Sequence, residues 1–397
     1  VEIKTGGGSS PGNMVPLNAS KIAFKANDGI NGTELWESNG TVAGTILAWD
    51  YTSGDSIGSG DNSGSNAKPL PKLFDNQLIV HADPRYAVNN IGTEIHYYVG
   101  TNVAGVAGSG GLVANVNFPV PGSNRSGGID GEVVDIGRAF GLFAAQHYVA
   151  GVKEGTELWR TNGAASGTLL VSDLSDATAS SGHSGYPRFF AHAGQLAFFQ
   201  GNDGVNGSEL WVTNGIPDGI PGAFTQMVMN INPGPNTYDS GRPIEMTSYK
   251  LGTVMFSAND GTNGPQLWTS DGVTTGMVDV TRCVSPQLLR YGNGMVWMSC
   301  GNSTTKYDLF SSDGTAAGTT NHTNAGYDMA PGVAYFDTNN IYFVAGFAAT
   351  GRQLYVADYA FTPITLLTFE SNLDQGGTVM GASPSYVYEY NGSLYFT

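Results

Sequence analysis

Residues 26–41 read ANDGINGTELWESNGT, two glycine-bearing turns around the apolar pair Leu35-Trp36. The stretch fits a calcium loop, a sugar-binding loop or the punctuation of a sheet. What decides between them is that it recurs. GNDGVNGSELWVTNG stands at 201–215, ANDGTNGPQLWTSDG at 258–272, EGTELWRTNGAASGT at 154–168 and YDLFSSDGTAAGT at 307–319. Weaker copies are IGTEIHYYVGTNVAG at 91–105 and TGRQLYVADY at 350–359. The Trp place is held in turn by Trp36, His96, Trp159, Trp211, Trp268, Phe310 and Tyr355, at gaps of 60, 63, 52, 57, 42 and 45 residues. Self-similarity at a spacing of roughly 40–60 residues marks a propeller or a solenoid.

The pattern inside one copy selects the propeller. Runs between Gly, Pro, Asn and Asp are mostly short, and none repeats apolar residues at helical spacing over ten or more positions, so a helical solenoid is excluded. In the clearest unit GQLAFFQG (194–201), SELWVT (208–213) and AFTQMVMNI (223–231) are predicted strands, and RPIEMTSYK (242–250) leads into the next unit. Turns of Asn, Asp and Gly, which tolerate positive φ, separate them. Four short antiparallel strands per unit suit a blade that buries its faces only against neighbouring blades. The Trp-place residue is then expected between blades.

The expectation is an all-β chain forming one β-propeller over 1–397, with repeat units near 13–72, 73–133, 134–187, 188–241, 242–286, 287–333 and 334–382. SPSYVYEYNGSLYFT (383–397) matches only the first two strands of a unit, and VEIK (1–4) matches a last strand. Seven complete units and an eighth split between the ends follow. The ends then either meet in a shared blade or leave a sheet edge that templates another chain.

GTELWESNGTVAGT and GTELWRTNGAASGT resemble the ELWxxDGT repeat family, and SSDGTAAGT and TSDGVTTG fit the second half of its motif. Asn39, Asn162 and Asn214 replace the motif's Asp, and His96 replaces its Trp. The resemblance implies a β-propeller in a secreted or surface protein. It implies no catalytic residues.

Composition bounds the rest. Gly is 57 of 397 residues, and charged residues are 13% against roughly 25% in ordinary domains. Net charge is −16, and the 17 Lys and Arg form no cluster in sequence, which argues against nucleic acid and anionic membrane surfaces. No apolar run nears the roughly 18 residues of a spanning helix, so membrane insertion is not expected. VEIKTGGGSS lacks the basic start and apolar core of a signal peptide, as a mature or trimmed chain would.

Site candidates are sparse. Asp28, Asp203 and Asp260 sit in the NDG turns and could ligate calcium. The competing reading has each Asp bonding its own turn, and Glu34 and Glu209 facing solvent or a neighbouring strand. No other cofactor is expected. The six histidines, His81, His96, His147, His183, His192 and His322, form no metal-binding spacing. Tyr97, Tyr98, Trp49, Trp297 and Tyr386 could stack on sugars or belong to the core. Cys283 and Cys300 leave a disulfide and two buried thiols both open. Sequons fall at Asn18, Asn31, Asn39, Asn124, Asn206, Asn302, Asn321 and Asn391, several in predicted turns where a glycan acceptor must be exposed.

The leading expectation is a non-catalytic, glycosylated extracellular structural or adhesion protein, a self-associating subunit of a filament or coat, and no enzyme. The alternatives are a propeller that binds glycans or proteins through loops at 50–72 and 101–128, and a hydrolase or lyase with an axial site.

Overall fold

A computed structural model describes residues 2–50, 68–69, 78–82, 94–99, 109–114, 129–136, 139–149, 152–175, 184–234, 240–279, 283–301, 306–347, 351–361, 363–367, 372–373, 379–380, 387–390 and 393–396. The chain is an all-β propeller of four-stranded antiparallel blades, each a meander in sequence order.

The first blade holds β1 (Gly12–Asn18), β2 (Lys21–Asn27), β3 (Thr33–Ser38) and β4 (Ile46–Trp49). A further sheet holds β5 (Lys68–Pro69), β6 (Leu78–Ala82), β7 (Glu94–Val99) and β8 (Ser109–Ala114), described chiefly along its backbone. Next come β9 (Ile129–Asp135), β10 (Gly141–Val149), β11 (Val152–Thr161) and β12 (Leu169–Ser172). The following blade is β13 (Arg188–Ala193), β14 (Leu196–Asn202), β15 (Ser208–Thr213) and β16 (Thr225–Met229). Then β17 (Ile244–Lys250), β18 (Thr253–Asn259), β19 (Pro265–Ser270) and β20 (Thr275–Asp279) form one blade. Another is β21 (Val284–Gly292), β22 (Met295–Gly301), β23 (Tyr307–Ser312) and β24 (Thr320–Asn321). The last is β25 (Met329–Phe336), β26 (Asn340–Phe347), β27 (Gly351–Asp358) and β28 (Ile364–Leu366). Two-stranded pairs follow: β29 (Asn372–Leu373) with β30 (Val379–Met380), and β31 (Val387–Tyr390) with β32 (Ser393–Phe396).

Among the described residues six of these sheets stand as blades and β5–β8 is a seventh four-stranded sheet, while the eighth blade split between the two ends does not form. Residues 2–4, expected as a closing strand, are not in a strand, and β31–β32 forms a hairpin of its own. The glycines and serines after Lys4 have little to pack and little strand propensity. By contact, Val1–Arg188, Gly201–Val205 and Thr213–Thr225 make one compact unit, and Phe189–Gln200, Asn206–Val212 and Gln226–Thr397 a second.

Within each unit the core lies between blades. In the first, Leu17, Ala23, Leu35 and Ala48 pack on Leu78, Val80 and Tyr98. In the second, Met255 and Leu267 of β18 and β19 pack on Val296, Met298, Cys300 and Phe310 of β22 and β23. The Trp-place residue sits across the ladder from an apolar partner on the second strand: Phe24 with Trp36, Phe143 with Trp159, Phe256 with Trp268, Phe343 with Tyr355. Phe24, Phe143, Phe256, Phe343 and Trp268 are buried, each contributing about 1.5–3 kcal/mol, while Trp36, Trp159 and Tyr355 are half-buried. Because a blade's two faces are apolar, the repeat is needed to cover them.

Candidate functional site

The repeated Glu of the motif does not face solvent. Glu34, Glu157 and Glu209 are all fully buried. Glu209 accepts hydrogen bonds from the N–H groups of Ile231 (2.9 Å) and Gly241 (2.7 Å), at the two ends of the connection into the next blade. Glu157 does the same with Leu174 (2.8 Å) and Gly185 (3.0 Å), and also accepts from the Ser175 hydroxyl. Asp308 stands at this place in its blade and takes the N–H groups of Ala325 and Gly326. A buried N–H left unbonded is costly, so the carboxylate anchors a connection that has no strand partner. Burial pushes the Glu157 carboxyl up to about 7, against the opposing hydrogen bonds from Leu174 and Gly185.

A second layer of bonds completes the anchor. The Ser240 hydroxyl accepts the Ser208 N–H, Arg242 N–H donates to the Ser208 carbonyl, and Asn259 N–H donates to the Gly241 carbonyl. Ser184, Thr156, Tyr186, Asn202 and Gly185 repeat this arrangement. Glycine at 241 is required by space: a Cβ there would lie 2.5 Å from Glu209 Oε2 and 2.7 Å from Ile231 Cβ.

The Asp of the NDG turn is likewise occupied by its own backbone. Asp28 Oδ1 accepts the N–H groups of Ile30 and Asn31, and Oδ2 accepts the Asn31 amide. Asp260 repeats all three bonds with Thr262 and Asn263, and Asp203 accepts the Val205 N–H. Burial opposes the charge of Asp28, but these donors hold its carboxyl below the ordinary range. Three of about four acceptor positions on such a carboxylate are thus taken by protein donors. Among the described residues no three His, Cys, Asp or Glu side chains converge as a metal site. The opening turn is reached by Gly29 at φ +81°, a conformation that costs glycine little.

The remaining candidates are dispersed. Tyr98 and Trp297 are buried core residues, which removes them as sugar platforms; Tyr386 and the Tyr97 side chain lie outside the described residues. Cys283 and Cys300 are joined in a disulfide within one blade, both fully buried. His322 donates or accepts at Ser311 Oγ (2.7 Å) and stacks on Phe361, and burial pulls its pKa down to about 4. His147 Nδ1 is 4.0 Å from Asp173 Oδ2, His192 is exposed and His96 buried, while His183 and the His81 side chain are outside the described residues. Of the sequons, Asn39 and Asn321 are exposed, Asn18, Asn31 and Asn206 half-buried, and Asn124, Asn302 and Asn391 outside the described residues. Most of 50–72 and 101–128 is outside them too.

The sequence reading missed a different repeat. Pro11, Pro187 and Pro243 directly precede the first strand of their blades and Pro286 is the third residue of β21, each preceded by a residue of positive φ: Ser10 (46°), Tyr186 (42°), Arg242 (45°) and Ser285 (50°). Two residues after each Pro a second positive φ follows, at Asn13 (51°), Phe189 (54°), Glu245 (56°) and Leu288 (58°). For Phe189, Glu245 and Leu288 the left-handed region is strained, whereas Asn13 tolerates it. Around Asn13, Glu245 and Leu288 the pairing with the second strand loses register, as a bulge does. β13, β17 and β21 are each the outermost strand of their sheet. Within the second unit they carry Phe189, 51% exposed, and Leu288, 40% exposed. They also neighbour one another: Ser248 Oγ of β17 bonds the His192 carbonyl of β13, and the Leu288 N–H of β21 donates to Glu245 Oε2 of β17 (3.1 Å). The X-Pro dipeptides were the available signal, since Pro in a strand belongs at its start, an edge or a bulge.

No family model matches the sequence, and no curated protein sequence matches it. Solved structures of similar fold include a puromycin hydrolase (12% identity, TM-score 0.49, 100% of this chain and 58% of that one). Prolyl oligopeptidase B from Galerina marginata is another (12% identity, TM-score 0.49, 97% and 54%). A third is the β-propeller domain of the trilobed protease from Pyrococcus furiosus, which has an open velcro topology (9% identity, TM-score 0.42, 92% and 100%). The chain spans a little over half the length of the first two. These neighbours are peptidases and a hydrolase, so the expectation of a non-catalytic assembly or adhesion protein that is no enzyme is withdrawn. At such identity the likeness concerns fold, and what those proteins act on is theirs.

Proposed function

We propose that this chain works in a hydrolase, as the part that receives an extended polypeptide on the first strands β13, β17 and β21. The observation that carries the reading is the repeated left-handed bulge, which leaves Phe189 and Leu288 exposed on outermost strands. Strained backbone and exposed large apolar side chains both cost stability, and both collect where a surface is used. An outermost strand also offers its main chain to a polypeptide laid alongside it.

The test uses the protein as isolated, with a fluorescein-labelled, reduced and carboxymethylated polypeptide followed by anisotropy and by release of new amino termini. Binding that falls about tenfold or more in Phe189→Ala/Leu288→Ala supports the reading. Absence of binding by the wild type, or equal binding by the variant, refutes it.

We also infer an extracellular location, supported by the buried Cys283–Cys300 bond, since disulfides persist in oxidising surroundings. N-glycans at the exposed Asn39 and Asn321 fit that location. Membership of the ELWxxDGT repeats rests on the motif copies. The finer count of seven units and a partial eighth is supported by β5–β8 and by the β31–β32 hairpin.

A further inference from the structure

We propose that Glu245 selects the polypeptide: it pairs with a basic side chain, Lys or Arg, of the extended segment received between Phe189 and Leu288. The inference rests on the polypeptide-receiving reading and adds the chemistry of its ligand. Glu245 occupies the bulge place that Phe189 and Leu288 hold on the strands to either side. A carboxylate between two exposed apolar groups specifies a ligand with one cation among apolar side chains.

The carboxylate is half-buried, and its recorded partner is the Leu288 N–H, at 3.1 Å to Oε2. A carboxylate has about four acceptor positions, so one backbone bond leaves room for a cation. The basic side chains of β17 and β21 are engaged elsewhere. Arg290 Nη1 donates to the Val333 carbonyl with its guanidinium over the Phe336 ring, and Lys250 Nζ donates to the Asp313 carbonyl. Arg242 is exposed, and among the described residues no ion pair joins it to Glu245. The chain's net charge of −16 favours approach of a basic segment over an acidic one.

The test compares two fluorescein-labelled, otherwise apolar peptides that differ only in a central Lys or Gln. Both are bound to the wild type, Glu245→Gln and Glu245→Lys. Glu245→Gln keeps an oxygen to accept the Leu288 N–H, so the fold is kept; far-UV circular dichroism checks this. The wild type should prefer the Lys peptide by about fivefold, the scale of a partly exposed ion pair. The preference should fall at about 1 M salt, where charges are screened within about 3 Å. It should vanish in Glu245→Gln and reverse in Glu245→Lys. A preference unchanged in Glu245→Gln overturns the role of Glu245 and leaves the polypeptide reading standing. Failure of the wild type to bind either peptide overturns both.

Discussion

The anchor made by Glu209 gives the sharpest test of why the motif carries an acid at all. In Glu209→Ala two N–H groups, at Ile231 and Gly241, lose a fully buried acceptor. Each unsatisfied buried donor costs about 1–3 kcal/mol, more when its partner was charged. The pair should therefore lower stability by about 3–5 kcal/mol, with partial relief from relaxation. Against a total of about 5–15 kcal/mol the loss is easily measured. Glu209→Gln should cost roughly half as much, because one oxygen remains and the amide opposes the second N–H. Gly241→Ala should reach a similar loss by overpacking, on the order of 1–3 kcal/mol, since the added methyl meets the carboxylate and Ile231. The assay is urea unfolding by tryptophan fluorescence, with amide exchange at residues 231 and 241 by mass spectrometry to localise the loss. A Glu209→Ala protein within about 0.5 kcal/mol of wild type, with exchange unchanged there, would refute the anchoring argument.

Glu157 should make stability fall as pH rises from about 4.5 to about 7. Its folded pKa of about 7 means the folded state holds a proton that the unfolded chain has released, and the cost is fully present above that window. The size is on the order of 3 kcal/mol, and Glu157→Gln should flatten the profile in urea unfolding at stepped pH. His322 acts in the opposite sense: with its pKa pulled down to about 4, stability rises with pH between about 4 and 6.5. The two partly cancel in the wild type, so His322→Asn should steepen the fall that Glu157 produces; a shallower one would count against the assignment. The Cys283–Cys300 bond should resist dithiothreitol without denaturant, since both sulfurs are fully buried. Replacing both by Ser should cost about 3 kcal/mol for a loop closed over 17 residues, read from the urea midpoint.

The blade was legible in the sequence because its signals are local. SELWVT (208–213) is β15 residue for residue, and RPIEMTSYK differs from β17 only at its first two residues. Apolar runs bounded by Asn, Asp and Gly fix strands, and the Asp28 and Asp260 turns close on themselves within three residues. The blade count was less legible, because closure depends on pairing between distant segments that carry no local mark. The Glu anchor was missed for the same reason. Strand alternation pairs Glu34 and Trp36 on one side of the ribbon, but only the connection ending at Gly241, about thirty residues on, supplies the donors that bury Glu209.

The anchor also explains which parts of the motif are free to vary. Asp308 can replace Glu because its connection comes closer: Tyr307 and Tyr327 form a backbone bridge, which brings the Ala325 and Gly326 N–H groups to the shorter side chain. Gln266 does not repeat the arrangement. Its Nε2 donates to the Asn263 carbonyl, and its Oε1 is buried without a recorded partner. A neutral side chain with one orphaned acceptor is a weaker tie than a carboxylate with two donors. Stability should thus be lower in β17–β20 than in β13–β16, and amide exchange resolved by blade should open the former first. The blades flanking that weaker point are the ones that carry Phe189 and Leu288. A surface that must admit a polypeptide is better placed beside a loosely tied blade than beside a rigid one, because local opening then costs less than global unfolding.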